Sequence, residues 1–435
     1  MSELTHSLKN KAPKYAKAIE WVKLISITGG AQIVVQFVGL LSGILIIRLL
    51  PTKEYALYTL ANTMLGTMTV LADGGISTGV MAHGGKVWQD RQKLGVVLNT
   101  GLELRKKFGI VSLLVSMPIL FYLLVHHGAS ILFSVLIILS MIPAFFAALS
   151  DSLLETASKL HQDIKRLQKN QVATGIGRFI LITGSLLLFP WTFIAILGNG
   201  IPRIWANFQL RKMSAKYADP AQESNPVVKK EILSIVKRTL PGAIYFCVSG
   251  QITIWLISIF GSTVAIAHIG ALGRLTTILT VVTTLFTTLI VPRFARLKQD
   301  RKILLSRFIQ IQTALIFISI IIVGIVMIFP NEVLWILGSG YGGLKTEVLM
   351  ITISSCLAML AGITYTIVVS RGWVLKPSIN ITINVLFQLV LIFTMDLSKT
   401  KNVLMFSIVD FLVGYIIILI YFFYQIYNTK TKLTE

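Results

Sequence analysis

The chain has 435 residues, of which 54% are hydrophobic and only 13% charged, and its mean hydropathy is +0.78. This composition excludes a soluble globular domain and indicates a polytopic membrane protein. The formal net charge of +22 would suggest a nucleic-acid partner in a soluble chain. Here the positive charges alternate with apolar runs, which is typical of membrane topology, so nucleic acid is not expected as a partner.

Apolar runs of about 20 residues predict twelve transmembrane helices in two sets of six. The first set lies near 24–50, 55–82, 108–126, 130–150, 171–189 and 191–210, and the second near 240–260, 263–290, 308–329, 346–370, 377–395 and 403–427. We therefore predict an all-α integral membrane fold with an N-lobe (24–210) and a C-lobe (240–427). Because each lobe has an even number of helices, a pseudo-two-fold axis along the membrane normal would relate them. A polar linker (211–239), an N-terminal segment (1–23) and a tail (428–435) complete the chain.

The Lys and Arg residues predict the orientation. Of the 40 basic residues, 32 fall in segments on the side shared by the two termini, and four, all lysines, fall on the other side. Because cytoplasmic loops carry the excess of Lys and Arg, both termini are expected in the cytoplasm. The N-terminal segment lacks a signal-peptide cleavage site and is expected to stay in the mature protein.

The remaining four basic residues are arginines inside apolar spans: Arg48, Arg178, Arg203 and Arg274. A charged guanidinium at the centre of a bilayer costs at least about 2.5 kcal/mol, so four of them indicate a protected path for something negatively charged. Arg274 lies deepest and is the foremost candidate, with an ion pair to a buried acid as the alternative. Arg48 and Arg178 lie near span ends, where snorkelling to the interface is the alternative.

Two stripes of polar residues recur at helical spacing. Asn199, Arg203 and Asn207 share one face of the sixth span, and Asn380, Asn384 and Gln388 share one face of the eleventh. We predict that they contact substrate. The alternative is hydrogen bonding between helices, worth about 0.6 kcal/mol per contact.

Carboxylates inside the membrane raise a separate question. Asp73, beside Gly74 and Gly75 in the second span, is predicted either to pair with an arginine or to couple transport to an ion; Asp410 poses the same choice. Asp151 and Glu155, near the cytoplasmic end of the fourth span, are expected to face water.

Signatures of enzymes are missing from the sequence. The six histidines have no metal-ligand spacing, and Cys247 and Cys356 fall in apolar spans, so we predict no metal site, no cofactor and no redox chemistry. No Walker loop or repeated Cys pair occurs, so the chain is not expected to be an enzyme or to drive transport with ATP.

The stretch Arg48-Leu49-Leu50-Pro51-Thr52-Lys53-Glu54-Tyr55-Ala56-Leu57-Tyr58, followed by Leu71-Ala72-Asp73-Gly74-Gly75-Ile76, resembles the opening helix pair of Wzx-type polysaccharide (O-antigen) flippases. These belong to the multidrug/oligosaccharidyl-lipid/polysaccharide exporter superfamily. Arg274, the run Val291-Pro292-Arg293-Phe294-Ala295, and Pro330 with Leu337-Gly338-Ser339-Gly340-Tyr341 extend the resemblance over nearly the whole chain. Ala56 stands where relatives usually have Gly.

The resemblance implies a flippase of the bacterial inner membrane that moves an undecaprenyl-diphosphate-linked oligosaccharide, such as a lipopolysaccharide O-antigen repeat unit, to the periplasmic leaflet. It implies two lobes in a V around a cationic cavity, alternating access, and polysaccharide polymerase and chain-length proteins as partners besides membrane lipids. Arg274, Arg203 and Arg178 would hold the diphosphate, because guanidinium groups donate paired hydrogen bonds to phosphate. Arg48 would guide the outer gate and Asp73 would couple an ion gradient.

Two alternatives stay open. One is an ion-coupled drug antiporter of the same superfamily, which would need acids and aromatic residues in the cavity, whereas here arginines outnumber acids at depth. The other is a membrane glycan polymerase or ligase, which the short outer loops disfavour.

Overall fold

The computed structural model describes residues 13–295, 297, 299–371, 373 and 377–428. Within these ranges the chain consists of helices joined by turns, with no β-strand. The beginning of the predicted N-terminal segment (1–12) and the end of the predicted tail (429–435) lie outside the described residues.

Seven helices make up the first half of the chain. They are α1 (Pro13–Leu49), α2 (Thr52–Asp73), α3 (Ile76–Val87), α4 (Arg91–His126), α5 (Ile131–Leu160), α6 (Ile164–Leu188) and α7 (Thr192–Ser214).

The second half contains ten described helices, several of them short. They are α8 (Pro226–Ser249), α9 (Ile252–Phe260), α10 (Thr263–Leu275), α11 (Ile278–Leu285), α12 (Val291–Ala295), α13 (Arg301–Ile328), α14 (Pro330–Trp335), α15 (Lys345–Ser370), α16 (Pro377–Thr394) and α17 (Thr400–Tyr427). A π-helical turn (Phe286–Ile290) joins α11 to α12, and a 3₁₀ turn (Ser339–Tyr341) follows α14.

Every one of the twelve predicted spans overlaps a described helix, which confirms the all-α membrane fold class. By length and composition, six described helices are able to cross a membrane: α4, α5, α6, α13, α15 and α17. The pair α10 and α11 adds a seventh if its 42° bend lies within one span. Several helices extend beyond their apolar runs; α4, for example, begins 17 residues before the run predicted from 108.

Breaks in the helices fall where the sequence has glycine or proline. The second predicted span divides into α2 and α3 at Gly74 and Gly75, whose φ angles of 50° and 96° lie in the left-handed region that only glycine adopts at low cost. A Cβ atom at Gly75 would clash with the hydroxyl of Thr239, which donates to the carbonyl of Gly74 at 3.1 Å. The Asp-Gly-Gly run therefore fixes where the second span turns.

The segment predicted as a polar linker (211–239) holds the end of α7, an irregular stretch (215–225) and the first half of α8. The irregular stretch lies along the start of α4. Asn99 donates to the carbonyls of Pro220 and Gln222 at 3.1 and 2.6 Å, and the amide of Asp219 donates to the carbonyl of Arg91 at 3.0 Å. Hydrogen bonds hold this stretch on the helix.

The chain divides into two compact units. Unit 1 comprises Met1–Ser42, Met64–Ile119 and Val135–Ala243. Its apolar core includes Ile76, Leu94, Leu98, Leu153 and Ile232, each at most 3% exposed. Helices α3, α4, α5 and the first half of α8 meet in this core.

Unit 2 comprises Gly43–Thr63, Leu120–Ser134 and Ile244–Glu435. Its core is centred on α13, α15 and α17, where the rings of Phe308 and Phe422 stack at 3.6 Å between centroids. Leu315, Ile363 and Ile367 are fully buried beside them.

Candidate functional site

A cavity of about 350 Å³ in unit 1 contains two of the four predicted arginines. Arg178 of α6 and Arg203 of α7 both line it. The other polar lining residues come from α1, α5 and α6: Ser42, Asp151, Glu155, Asn170, Gln171 and Thr174. The cavity therefore places two guanidinium groups among amides, hydroxyls and two carboxylates.

Arg203 is partly neutralised within this cavity. Its Nε donates to Oδ2 of Asp151 at 2.9 Å, and the Arg203 side chain stays 35% exposed. Among the described residues, the terminal guanidinium nitrogens of Arg203 form no recorded hydrogen bond, so they remain available to a second anionic partner. Asp151, which we expected to face water, is instead part of the cavity wall.

Asn207 bonds to the other oxygen of the Asp151 carboxylate. Its amide nitrogen donates to Oδ1 of Asp151 at 2.7 Å, to Oγ of Ser150 at 2.5 Å and to the carbonyl of Ala147 at 3.0 Å. Asn207 is 7% exposed and does not line the cavity, so its contacts are those of an interhelical hydrogen bond. Asn199, one turn before Arg203, is half-buried and also lies outside the cavity lining.

The second acid of the cavity also has partners. Glu155 forms an ion pair with Lys159 at 2.7 Å and accepts a hydrogen bond from Gln171 at 3.2 Å. Both carboxylates of the cavity are thus engaged by groups of the protein itself.

Arg274 belongs to unit 2 and lies near the end of α10. Its guanidinium lies beside the side chains of Tyr55 and Tyr58, which are 1% and 3% exposed. Its Cδ lies against Gly43, where a built Cβ would come within 3.2 Å. Among the described residues no carboxylate pairs with Arg274, so the predicted alternative of a buried ion pair does not apply there.

Arg48 takes a position at the end of α1. It donates from Nε to the carbonyl of Ile336 at 2.9 Å and from Nη2 to that of Trp335 at 2.7 Å, with its guanidinium 5.1 Å from the Trp335 ring centroid. The side chain is exposed. Arg48 therefore ties the end of α1 to the end of α14 within unit 2.

Unit 2 has a cavity of about 380 Å³ whose polar lining carries no charge. It is rich in hydroxyl groups: Thr253, Thr276, Thr280, Thr283, Ser354, Ser355 and Ser407. Such a lining suits an uncharged polar ligand. The sequence carries no signal for this cavity, because single Thr and Ser residues in a helix usually bond back to the preceding turn.

The polar stripe predicted on α16 (Asn380, Asn384 and Gln388) lies at a second cavity of unit 2, which has a volume of about 230 Å³. Asn380 and Asn384 line it, and Asn384 donates to the carbonyl of Asn380 at 2.7 Å. Gln388 is 7% exposed and donates to both oxygens of Asp410 at 3.1 Å. The stripe is therefore partly engaged in hydrogen bonds inside unit 2.

Asp73 forms part of a buried network in unit 1. Its Oδ1 accepts from Nη2 of Arg105 at 2.5 Å and from Oγ of Ser77 at 2.7 Å. Arg105 is 4% exposed and also donates to the carbonyl of Leu149 at 2.7 Å. This geometry matches the pairing alternative for Asp73. The partner itself was missed because Arg105 was counted among the basic residues on the cytoplasmic side.

The comparisons with known proteins concern the fold. No family model matches the sequence, and no curated protein matches it either. Among solved structures, an inward-facing multidrug resistance MATE family transporter of the MOP superfamily matches with a TM-score of 0.72 and 14% identity, over 92% of this chain and 96% of that chain.

Two further structures show the same likeness. An outward-facing multidrug resistance MATE family transporter of the MOP superfamily has a TM-score of 0.62 and 15% identity, over 94% and 96% of the two chains. A MOP superfamily transporter from Pyrococcus furiosus, described as having a binding pocket of reverse polarity that suggests a different function, has a TM-score of 0.57 and 14% identity, over 94% and 96%. The chain has the fold of the MATE transporters of the MOP superfamily.

Proposed function

We propose that this protein is an alternating-access flippase that carries a polyprenyl-diphosphate-linked oligosaccharide across the bacterial inner membrane. Its fold is one that transporters use, which supports translocation as the general activity. The resemblance of its helix-pair motifs to Wzx-type proteins supports a lipid-linked glycan as cargo.

The observation that carries the proposal is the cavity of unit 1. Two guanidinium groups, Arg178 and Arg203, reach one cavity inside an apolar bundle. Guanidinium groups bind phosphate oxygens through paired, charge-assisted hydrogen bonds and stay charged at any physiological pH. A diphosphate headgroup is the anionic part of the proposed cargo, so these residues are assigned to it.

A second candidate function is the export of cationic drugs. The neighbours described as multidrug resistance transporters favour it. The charge of the unit 1 cavity weighs against it, because Asp151 and Glu155 are bonded to Arg203 and Lys159 and would have to give up these partners to hold a cation. The neighbour from Pyrococcus furiosus, described as having a pocket of reverse polarity, is a case in which this fold is linked to a different function.

Surface polysaccharide in cells tests the assignment of Arg178. In a strain that lacks the gene, the Arg178→Ala variant is expected to accumulate at normal abundance yet fail to restore surface polysaccharide, because one of the two guanidinium groups that face the diphosphate is gone. Arg178→Lys should restore it in part, since an ammonium keeps the charge but loses the paired donors.

The matched control is Lys169→Ala, which removes an exposed charge from the same helix and should restore polysaccharide fully. Full restoration by Arg178→Ala would remove Arg178 from the mechanism. Sensitivity of the deletion strain to cationic drugs, with surface polysaccharide unchanged, would instead support the antiporter.

A further inference from the structure

Helices α6 and α7 of unit 1 form an antiparallel hairpin. Asn170 of α6 donates to the carbonyl of Ala206 of α7 at 3.2 Å, and a Cβ built on Gly198 of α7 would come within 3.2 Å of Ile182 of α6. These two contacts lie far apart along both helices, so the helices pack together over most of their length. The start of α6 and the end of α7 therefore lie at the same end of the hairpin.

The hairpin has an exposed apolar face. On α7 its members recur at helical spacing and are between 43% and 56% exposed: Ile201, Ile204, Trp205 and Phe208. On α6, Ile176 and Ile180 are 44% and 62% exposed. An apolar face of this size that no protein group covers is typical of a surface in contact with a membrane. Lipid tails are therefore its expected cover.

Basic side chains follow the apolar face at one end of the hairpin. We call four of them the basic cluster, and all four are exposed: Lys165 at the start of α6, and Arg211, Lys212 and Lys216 at and just beyond the end of α7. The acid beside them has other partners, since Asp163 pairs with Arg166 at 3.5 Å and accepts from the hydroxyl of Tyr217 at 3.0 Å. Across the described ranges no ion pair includes a member of the basic cluster.

The length of α7 places the basic cluster at the depth of lipid headgroups. Trp191, directly before the first residue of α7, is 45% exposed, and tryptophan is enriched where a membrane meets water. Lys212 lies 20 residues beyond Thr192, which is about 30 Å along the helix. The hydrocarbon core of a bilayer is also about 30 Å thick. The Nζ of Lys212 lies 4.5 Å from the centroid of the Phe208 ring, so its charge is next to the apolar face.

We propose that the basic cluster and the apolar face beside it bind an anionic phospholipid, such as phosphatidylglycerol, in the leaflet that the sequence predicts to be cytoplasmic. The acyl chains would lie along the apolar face, and the phosphate would lie among the ammonium and guanidinium groups. Arg178 and Arg203 belong to the same hairpin, so the bound lipid would contact the element that carries both arginines of the unit 1 cavity. Phospholipid binding does not depend on the proposed cargo.

Quenching of tryptophan fluorescence by brominated lipids tests this site, because Trp205 lies about two turns from Lys212 along α7. The purified full-length protein is reconstituted in mixtures of phosphatidylglycerol and phosphatidylcholine in which one or the other carries brominated acyl chains. The difference between wild type and Trp205→Phe gives the signal of Trp205. We expect phosphatidylglycerol to be preferred at Trp205 by about tenfold, since each basic residue at a membrane surface adds to the attraction for anionic lipid.

Two double variants examine the basic cluster directly. Lys212→Gln/Lys216→Gln removes two of its charges and should lower the preference for phosphatidylglycerol at least about fivefold. Arg211 is left in place because its Nε bonds to Asn207 at 3.1 Å. Lys212→Arg/Lys216→Arg keeps both charges and should keep the preference, which guards against a folding defect at these positions.

The matched control Lys86→Gln/Lys230→Gln removes two exposed lysines from other helices of unit 1 and should keep the wild-type preference. An equal loss in this control would show that net charge alone attracts the lipid, and would overturn the site. A wild-type preference in Lys212→Gln/Lys216→Gln would overturn it too. If polyprenyl diphosphate at an equal fraction displaces nearly all of the brominated phosphatidylglycerol, the surface belongs to the headgroup of the cargo and not to a phospholipid.

Discussion

Single residues show how this chain tolerates charge inside its helices. Asp73 is paired with Arg105 and Asp151 with Arg203, whereas Arg274 lies beside two tyrosines. Each pairing joins different helices, so the partner depends on how those helices are rotated about their axes. The sequence identified the intramembrane arginines, because a charge in an apolar run stands out. It did not identify their partners.

Breaking the pair between Asp73 and Arg105, whose guanidinium side is 4% exposed, should destabilise the protein. Arg105→Met leaves a carboxylate without its cation and is expected to cost about 3 kcal/mol, whereas the double variant Asp73→Asn/Arg105→Met should recover much of that loss. Thermal unfolding in detergent measures both. Lys107→Met, which removes one member of an exposed pair with Glu103, should cost less than about 1 kcal/mol. If Arg105→Met unfolds like this control, the network does not stabilise the fold.

Arg274 is expected to matter for transport through its geometry as well as its charge. Arg274→Ala should abolish surface polysaccharide at normal protein abundance, and Arg274→Lys should restore it only in part, because an ammonium keeps the charge but loses the paired donors of the guanidinium. The control Arg293→Ala removes an exposed arginine from the same unit. Wild-type polysaccharide in the alanine variant would exclude Arg274 from the transport mechanism.

The apolar runs predicted where the helices lie but not where each helix begins and ends. Helix α4 begins 17 residues before the apolar run, in a basic stretch that we had counted among the cytoplasmic segments, and this extension pairs Arg105 with Asp73. Hydropathy does not show which polar or basic residues at the end of a helix pair with side chains of other helices. The break between α2 and α3, in contrast, could be expected from the adjacent glycines.

That break gives a prediction for the backbone. Gly75→Ala is expected to cost at least about 1 to 2 kcal/mol, because the φ of 96° is unfavourable for an L-residue and the added methyl group meets Thr239. Gly184→Ala, in a helix of the same unit with open space around it, should be neutral or slightly stabilising. Equal melting temperatures for the two variants in detergent would show that the turn adapts without strain.

For the whole molecule, the periodic apolar runs and the sidedness of lysine and arginine were enough to predict an all-helical membrane fold, which the likeness to MATE transporters confirms. The candidate site was harder to predict. Two of the four arginines line one cavity, because α6 and α7 bring Arg178 and Arg203 together. The hydroxyl-lined cavity of unit 2 left no signal, since scattered threonines have no distinctive spacing.

Reconstituted translocation tests the central claim most directly. Purified protein in liposomes is given a polyprenyl-diphosphate-linked oligosaccharide with a fluorescent sugar, and a membrane-impermeant quencher reports how much of it changes leaflet. We predict that wild type moves the lipid-linked glycan, that Arg178→Ala does not, and that a fluorescent cationic drug stays where it was loaded. Movement of the drug by wild type, with the glycan remaining in its original leaflet, would contradict the account.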